Sequence, residues 1–154
     1  MIQPISLYGP LRSLTSLGMR TALIVDDVES MRVIVDRTVR QLDVATVQAG
    51  NGRDAFDQLQ QHPIDVVITD IEMPVWSGFD LLEAIRGSHD PRLHAVPVVV
   101  ISSLPDRAIL ARTKQYAETY FLPKPVSIPQ LRVTLKMIAT RIWVRDHPIA
   151  GQRQ

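Results

Sequence analysis

The hydrophobic positions fall into two alternating patterns. Short apolar runs occupy residues 21–25, 64–69, 96–101 and 120–122, with a weaker run at 44–48. Such runs, rich in β-branched residues and free of polar alternation, predict strands buried on both faces, as in a parallel sheet. Between them the apolar residues recur every three or four positions. Met31, Ile34, Val35, Thr38, Val39 and Leu42 form one such set, and Ala55, Phe56 and Leu59 a shorter one after Asn51-Gly52. Phe79, Leu82 and Ile85 follow Gly78, and Ala108, Ile109 and Ala111 follow Pro105-Asp106. Ile128, Leu131, Leu135, Ile138 and Ile142 make a stripe at alternating steps of three and four. Strand then helix, five times over, predicts an α/β domain with a parallel sheet and helices on both faces.

Composition narrows the class. The chain has 154 residues, 45% hydrophobic and 21% charged, the balance of one globular domain. A net charge of +1 speaks against a strongly basic nucleic-acid binder. With no cysteine, disulfides, thiolate metal sites and cysteine nucleophiles are excluded. No apolar run is long enough to cross a bilayer. The expectation is a domain acting in the cytoplasm, with neither nucleic acid nor membrane as partner. Residues 1–18 carry Pro4, Gly9, Pro10 and Gly18 without a clean period and read as a flexible extension. Residues 144–154, with Pro148 and Gly151, read as a flexible tail, which leaves 19–143 as the working domain.

The polar residues that end the predicted strands carry the chemistry. Asp26 and Asp27 end the first, Asp70 the third, Ser102 the fourth and Lys124 the fifth. Open parallel sheets bind ligands outside the carboxyl ends of their strands. There, three carboxylates, a hydroxyl and an ammonium would share one pocket. Clustered carboxylates repel unless a cation intervenes, and an all-oxygen set suits Mg²⁺. Mg²⁺ held by one or two carboxylates has room for a phosphate, for which Lys124 supplies charge and Ser102 a donor. The set reads as a phosphoryl-transfer site with a carboxylate nucleophile. Any one of these residues alone would be read as a helix cap. Five compatible groups at four strand ends are not explained by capping.

These residues resemble the receiver domain of bacterial two-component response regulators, over about residues 20–142. The resemblance rests on Leu23-Ile24-Val25-Asp26-Asp27, on Ile68-Thr69-Asp70-Ile71-Glu72-Met73-Pro74 with Gly78, on Val100-Ile101-Ser102-Ser103, and on Lys124-Pro125, in that order. It implies a single flavodoxin-like domain of five parallel strands in the order 2-1-3-4-5. It implies that Asp70 accepts a phosphoryl group from a sensor histidine kinase, a histidine phosphotransfer protein or a small phosphodonor. Asp27 and Asp70 would hold Mg²⁺ through side chains, Glu72 through its backbone carbonyl and Asp26 through water. Lys124 would bind the phosphoryl oxygens, and Ser102 and Phe121 would form the switch. It further implies a cis Lys124-Pro125 bond, and an output face on the family's fourth helix, fifth strand and fifth helix. Arg107, Arg112, Lys114, Arg132, Lys136 and Arg141 fall there, a set that reads equally as a solvated face.

The chain departs from the family pattern in places. Phe121 stands where tyrosine is common, Ser102 where threonine is, and Ala117 where glycine often precedes the fifth strand. Glu72 and Leu104 occupy positions that tune phosphoryl lifetime, and they suggest slow to moderate dephosphorylation. The expected role is a stand-alone response regulator, not an enzyme, that signals through phosphorylation-dependent protein contact. The alternatives are a phosphorelay intermediate and a pseudo-receiver that binds without being phosphorylated. An aspartyl-phosphate hydrolase is a further rival, because Glu72 lies two residues after Asp70, where such enzymes place an acid/base. Trp76 reads either as a loop aromatic or as a partner contact. His62, His89, His94 and His147 show no ligand spacing and read as surface residues.

Overall fold

A computed structural model describes residues 12–103 and 107–149. Its five strands are β1 (Thr21–Val25), β2 (Ala45–Ala49), β3 (Val66–Asp70), β4 (Val98–Ser102) and β5 (Thr119–Pro123). They form one parallel sheet in the order β2-β1-β3-β4-β5. The six helices are α1 (Glu29–Arg40), α2 (Gly52–Gln61), α3 (Gly78–Arg86), α4 (Pro91–His94), α5 (Arg107–Lys114) and α6 (Ile128–Asp146). The expected flavodoxin-like architecture is therefore present.

Burial explains why the inner runs lack alternation. Every residue of β3 and β4 is buried, whereas β2 and β5 lie at the sheet edges and are partly exposed. Successive side chains point to opposite faces, so β1 serves two cores. Ala22 and Ile24 pack with Val35 and Val39 of α1 and with Leu131, Leu135 and Ile138 of α6. Leu23 and Val25 pack with Ala55 and Leu59 of α2 and with Phe79, Leu82 and Ile85 of α3. Each such large side chain, fully buried, contributes about 1.5–3 kcal/mol. The helix starts follow their caps. Asn51 caps α2, Ser77 and Asp80 form a capping box on α3, and Ser127 caps α6 with Pro129 in its first turn.

The strand register levels the functional end. Val25 pairs with both Ala49 and Thr69, Asp70 with Ile101, and Ser102 with Pro123. The residues that follow β1, end β3 and β4, and follow β5 thus emerge along one rim.

Two boundaries differ from the sequence reading. Residues 13–17 form a turn, closed by Leu17 N–H to the Ser13 carbonyl at 3.2 Å and Met19 N–H to the Leu14 carbonyl at 2.9 Å. Leu14 and Leu17 enter the core beneath α1 and α6. The Thr15 hydroxyl donates to the Asp43 carbonyl, and the Arg12 guanidinium lies over the Trp143 ring. Residues 12–18 are therefore packed, not an extension; two leucines three apart bury well but are too few to show a period. At the other end α6 continues to Asp146, three residues past the expected boundary, and His147 stacks on Trp143. Residues 1–11 and 150–154 of the proposed extension and tail lie outside the described residues, as do Leu104 and the Pro105-Asp106 helix start. The short helix α4 was not expected. Asp90 caps it and Pro91 opens it, but four residues are too few for a period.

Candidate functional site

Each acidic residue reaches the rim because the chain leaves the sheet there. β1 ends at Val25, and Asp26 makes one more ladder-type bond, from its N–H to the Ala49 carbonyl at 3.2 Å. The Asp26 carboxylate then accepts from Val28 N–H at 2.9 Å, which bends the chain into α1. Asp70 closes β3, and one of its carboxylate oxygens accepts from Ile71 N–H at 2.8 Å. The following loop returns to α3 through Gly78, whose N–H donates to the Ile71 carbonyl at 2.8 Å. A Cβ on Gly78 would lie 2.2 Å from the Asp70 carbonyl oxygen, so only glycine lets the loop close this tightly against the acceptor strand.

The three carboxylates converge. Asp26, Asp27 and Asp70 each offer an oxygen, and these lie within 4.8 Å of one another. Lys124 Nζ sits 3.4 Å from Asp26 Oδ2 and 3.3 Å from Asp70 Oδ2, so one ammonium bridges two of the three acids. Asp26 and Asp70 are nearly buried, whereas Asp27 faces solvent. Burial pushes the Asp70 carboxyl above the ordinary 3.8; the Lys124 charge opposes that rise and the Asp26 charge adds to it. Burial works against the Lys124 charge, but Asp70 and Asp26 outweigh it and hold the ammonium above its ordinary value. The site therefore has more negative charge than its own cation neutralises. A further cation with a preference for oxygen ligands fits this donor set.

Ser102 is buried at the end of β4, and its carbonyl accepts from Lys124 N–H at 2.8 Å, which fixes β5 beside the site. The Lys124-Pro125 bond is cis, as expected. Phe121 is half-buried and packs toward the α2–α3 core. Glu72 is exposed, two residues beyond Asp70. Trp76 packs at a tilt against Phe56, ring centroids 6.0 Å apart, and its carbonyl accepts from Gly52 N–H. It thereby ties the loop after Asp70 to the start of α2. All four histidines are exposed. Tyr116 and Tyr120 pack against the two cores, with their hydroxyls on Glu83 and Glu118. On the basic helices, Arg112 pairs with Glu83, Arg141 with Glu118, and Arg132 donates to Gln41.

Two functional-end features escaped the sequence reading. Val75 adopts φ 67° in the loop after Asp70, and Arg32 of α1 turns back to donate to the Asp26 carbonyl. Neither carries a motif signal. A valine in the left-handed region is contrary to residue preference, and an arginine in a first helical turn reads as surface.

No helix among the described residues is long and apolar enough to cross a membrane. A family model described as the response regulator receiver domain matches residues 22–136. The chain is 31% identical to the chemotaxis protein CheY of Pseudomonas aeruginosa, over 78% of this chain and 96% of that one. It is 34% identical to CheY-3 of Vibrio cholerae, over 78% and 92%. It is also 32% identical to the response regulator protein PilR of Pseudomonas aeruginosa, but spans only 28% of that longer protein. The structure superposes on the chemotaxis response regulator CheY4 of Vibrio cholerae with a TM-score of 0.70, 28% identity, and coverage of 78% of this chain and 98% of that one. Five parallel strands in this order, an acidic triad bridged by a lysine and a family match across most of the chain agree: the protein belongs to the response regulator receiver domain family of two-component signalling.

Proposed function

We propose that this chain is a phosphorylatable receiver in which Asp70 accepts a phosphoryl group from a phosphohistidine. The observation that carries the proposal is the Asp26, Asp27 and Asp70 cluster with Lys124 bridging two of its members. An Asp70 carboxylate oxygen attacks phosphorus, the O–P bond forms, and the N–P bond of the donor histidine breaks. The electron pair stays on the imidazole, and the product is an acyl phosphate. Lys124 pairs with the phosphoryl oxygens, and the Ser102 hydroxyl donates to them when the domain switches. Asp27 and Asp70 side chains and the Glu72 carbonyl would hold Mg²⁺, with Asp26 acting through water. When bound, Mg²⁺ supplies charge that offsets the crowding of phosphoryl and carboxylate oxygens.

Transfer removes the paired charge on Asp70 and places a dianion beside Lys124, which biases a two-state equilibrium of Ser102 and Phe121. The output is contact with a partner protein in the cytoplasm. It uses the face formed by α5, β5 and α6, the family's fourth helix, fifth strand and fifth helix once the short α4 is set aside. Phe121, Pro123, Pro129 and Val133 line a shallow depression there. The chain acts as a signalling module and not as an enzyme with turnover. Membership of the family, and similarity that spans nearly the whole length of two chemotaxis receivers, support this reading.

The test is incubation with acetyl phosphate and Mg²⁺, read by intact mass. Wild type is expected to gain one phosphoryl group, and to gain none without the metal or as Asp70→Asn. No uptake from acetyl phosphate or from any phosphorylated histidine kinase would overturn the reading in favour of a pseudo-receiver.

A further inference from the structure

Arg32 lies in the first turn of α1, yet its guanidinium points back at the sheet. Nη1 donates to the Asp26 carbonyl, and Nε donates to Gln48 Oε1 of β2 at 3.3 Å. It rests against Gly50, where an added Cβ would come to 3.8 Å of Nη1. One side chain thus ties the first turn of α1 and the far edge strand to the loop that carries both N-terminal acids.

What it holds matters. The Asp26 carbonyl belongs to the peptide that links Asp26 to Asp27. That peptide lies beyond the last β1–β2 bond, from Asp26 N–H to Ala49, so the sheet no longer sets its orientation. Its plane fixes ψ of Asp26 and φ of Asp27, and therefore where both Cβ atoms point. The Asp26 side chain has other restraints, in Val28 N–H and Lys124. Asp27 is exposed, and its aim depends on the backbone.

We propose that Arg32 is a positioning residue for the acidic pair. By pinning the shared peptide from β2 and α1 it aims Asp27 into the cluster, and so sets affinity for the divalent cation. The inference rests on the metal-assisted reading above. Its planar fork suits the task, because it satisfies two acceptors at a fixed angle, which a lysine cannot do. Groups that orient metal ligands without touching the metal commonly change affinity by 10-fold or more when removed.

The test uses Mn²⁺ as probe, with the free ion followed by electron paramagnetic resonance, together with thermal melts of each protein. Arg32→Met is expected to weaken Mn²⁺ binding about ten-fold. Arg32→Lys recovers part of this, and Gln48→Leu shows a smaller loss. Leu14→Ala, destabilised at the opposite pole, keeps wild-type Mn²⁺ affinity and controls for general loss of stability. If Arg32→Met binds like wild type, or if Leu14→Ala weakens binding as much, Arg32 is a structural clasp and the inference fails alone. If wild type binds no Mn²⁺, or Asp27→Asn leaves binding unchanged, the metal-assisted reading fails and takes the inference with it.

Discussion

Asp70 shows how burial and charge compete at one side chain. The folded chain holds its proton more tightly than the unfolded chain does, because burial and Asp26 outweigh Lys124. A carboxyl with a raised folded value favours folding below the ordinary aspartate range, and that contribution is lost as pH rises through the folded value. Without divalent cation, wild type should therefore lose stability relative to Asp70→Asn as pH climbs from about 4 towards neutrality. Thermal melts of both proteins across that range check this, and parallel profiles would contradict it. Val75 poses a separate residue-scale question. It is 72% exposed at φ 67°, where a β-branched side chain is strained and gains little from burial. Asn tolerates this region, so Val75→Asn should stabilise the protein by about 1 kcal/mol. Chemical denaturation reads this directly, and a loss of stability would show that the valine makes a contact that offsets the strain. The sequence made Asp26, Asp27, Asp70, Ser102 and Lys124 legible because strand ends in a parallel sheet share one rim. It could not disclose Val75, since its backbone angle is imposed by closure of the loop onto Gly78.

Among the elements, α3 is anchored by its last residue. Arg86 donates to the carbonyls of Ala117, His94, Val96 and Glu118, and so joins the end of α3 to α4 and to the approaches to β4 and β5. Burial depresses its pKa, and the nearby Glu118 and Tyr120 oppose that shift. All four carbonyls precede strands; that of Glu118 also accepts from Val98 N–H and that of Ala117 from the Thr119 hydroxyl, while Arg86 serves those of His94 and Val96 ahead of β4. Arg86→Met keeps the aliphatic stem but takes the Arg86 donor from the His94 and Val96 carbonyls, at about 1–3 kcal/mol for each one stranded. A total loss of about 3 kcal/mol is expected from denaturant titration, and a change under about 0.5 kcal/mol, typical of a surface site, would refute the anchoring role. A C-terminal arginine in a helix ordinarily reads as a favourable dipole contact, so this role was hidden. The same holds for the turn at Leu14 and Leu17. Long elements with a repeated period were legible; α4 and the N-terminal turn were not, because each owes its place to one or two buried leucines and to caps.

Across the whole molecule, chemistry and packing are separated by the length of the strands. The acidic cluster and Lys124 crown the carboxyl ends, while Arg86 and the N-terminal turn close the opposite side. Under the proposed function, this division would let the upper loops rearrange around a phosphoryl group while the lower pole holds the sheet. The central claim is that Asp70, and no other residue, carries the phosphoryl group. Reduction of the phosphorylated protein with borohydride, followed by peptide mass analysis, tests it most directly, because an acyl phosphate is reduced to an alcohol and a free carboxylate is not. The account predicts a single reduced aspartate, at position 70. Reduction at Asp26, Asp27 or Glu72 instead, or an unreduced phosphorylated peptide, would contradict it.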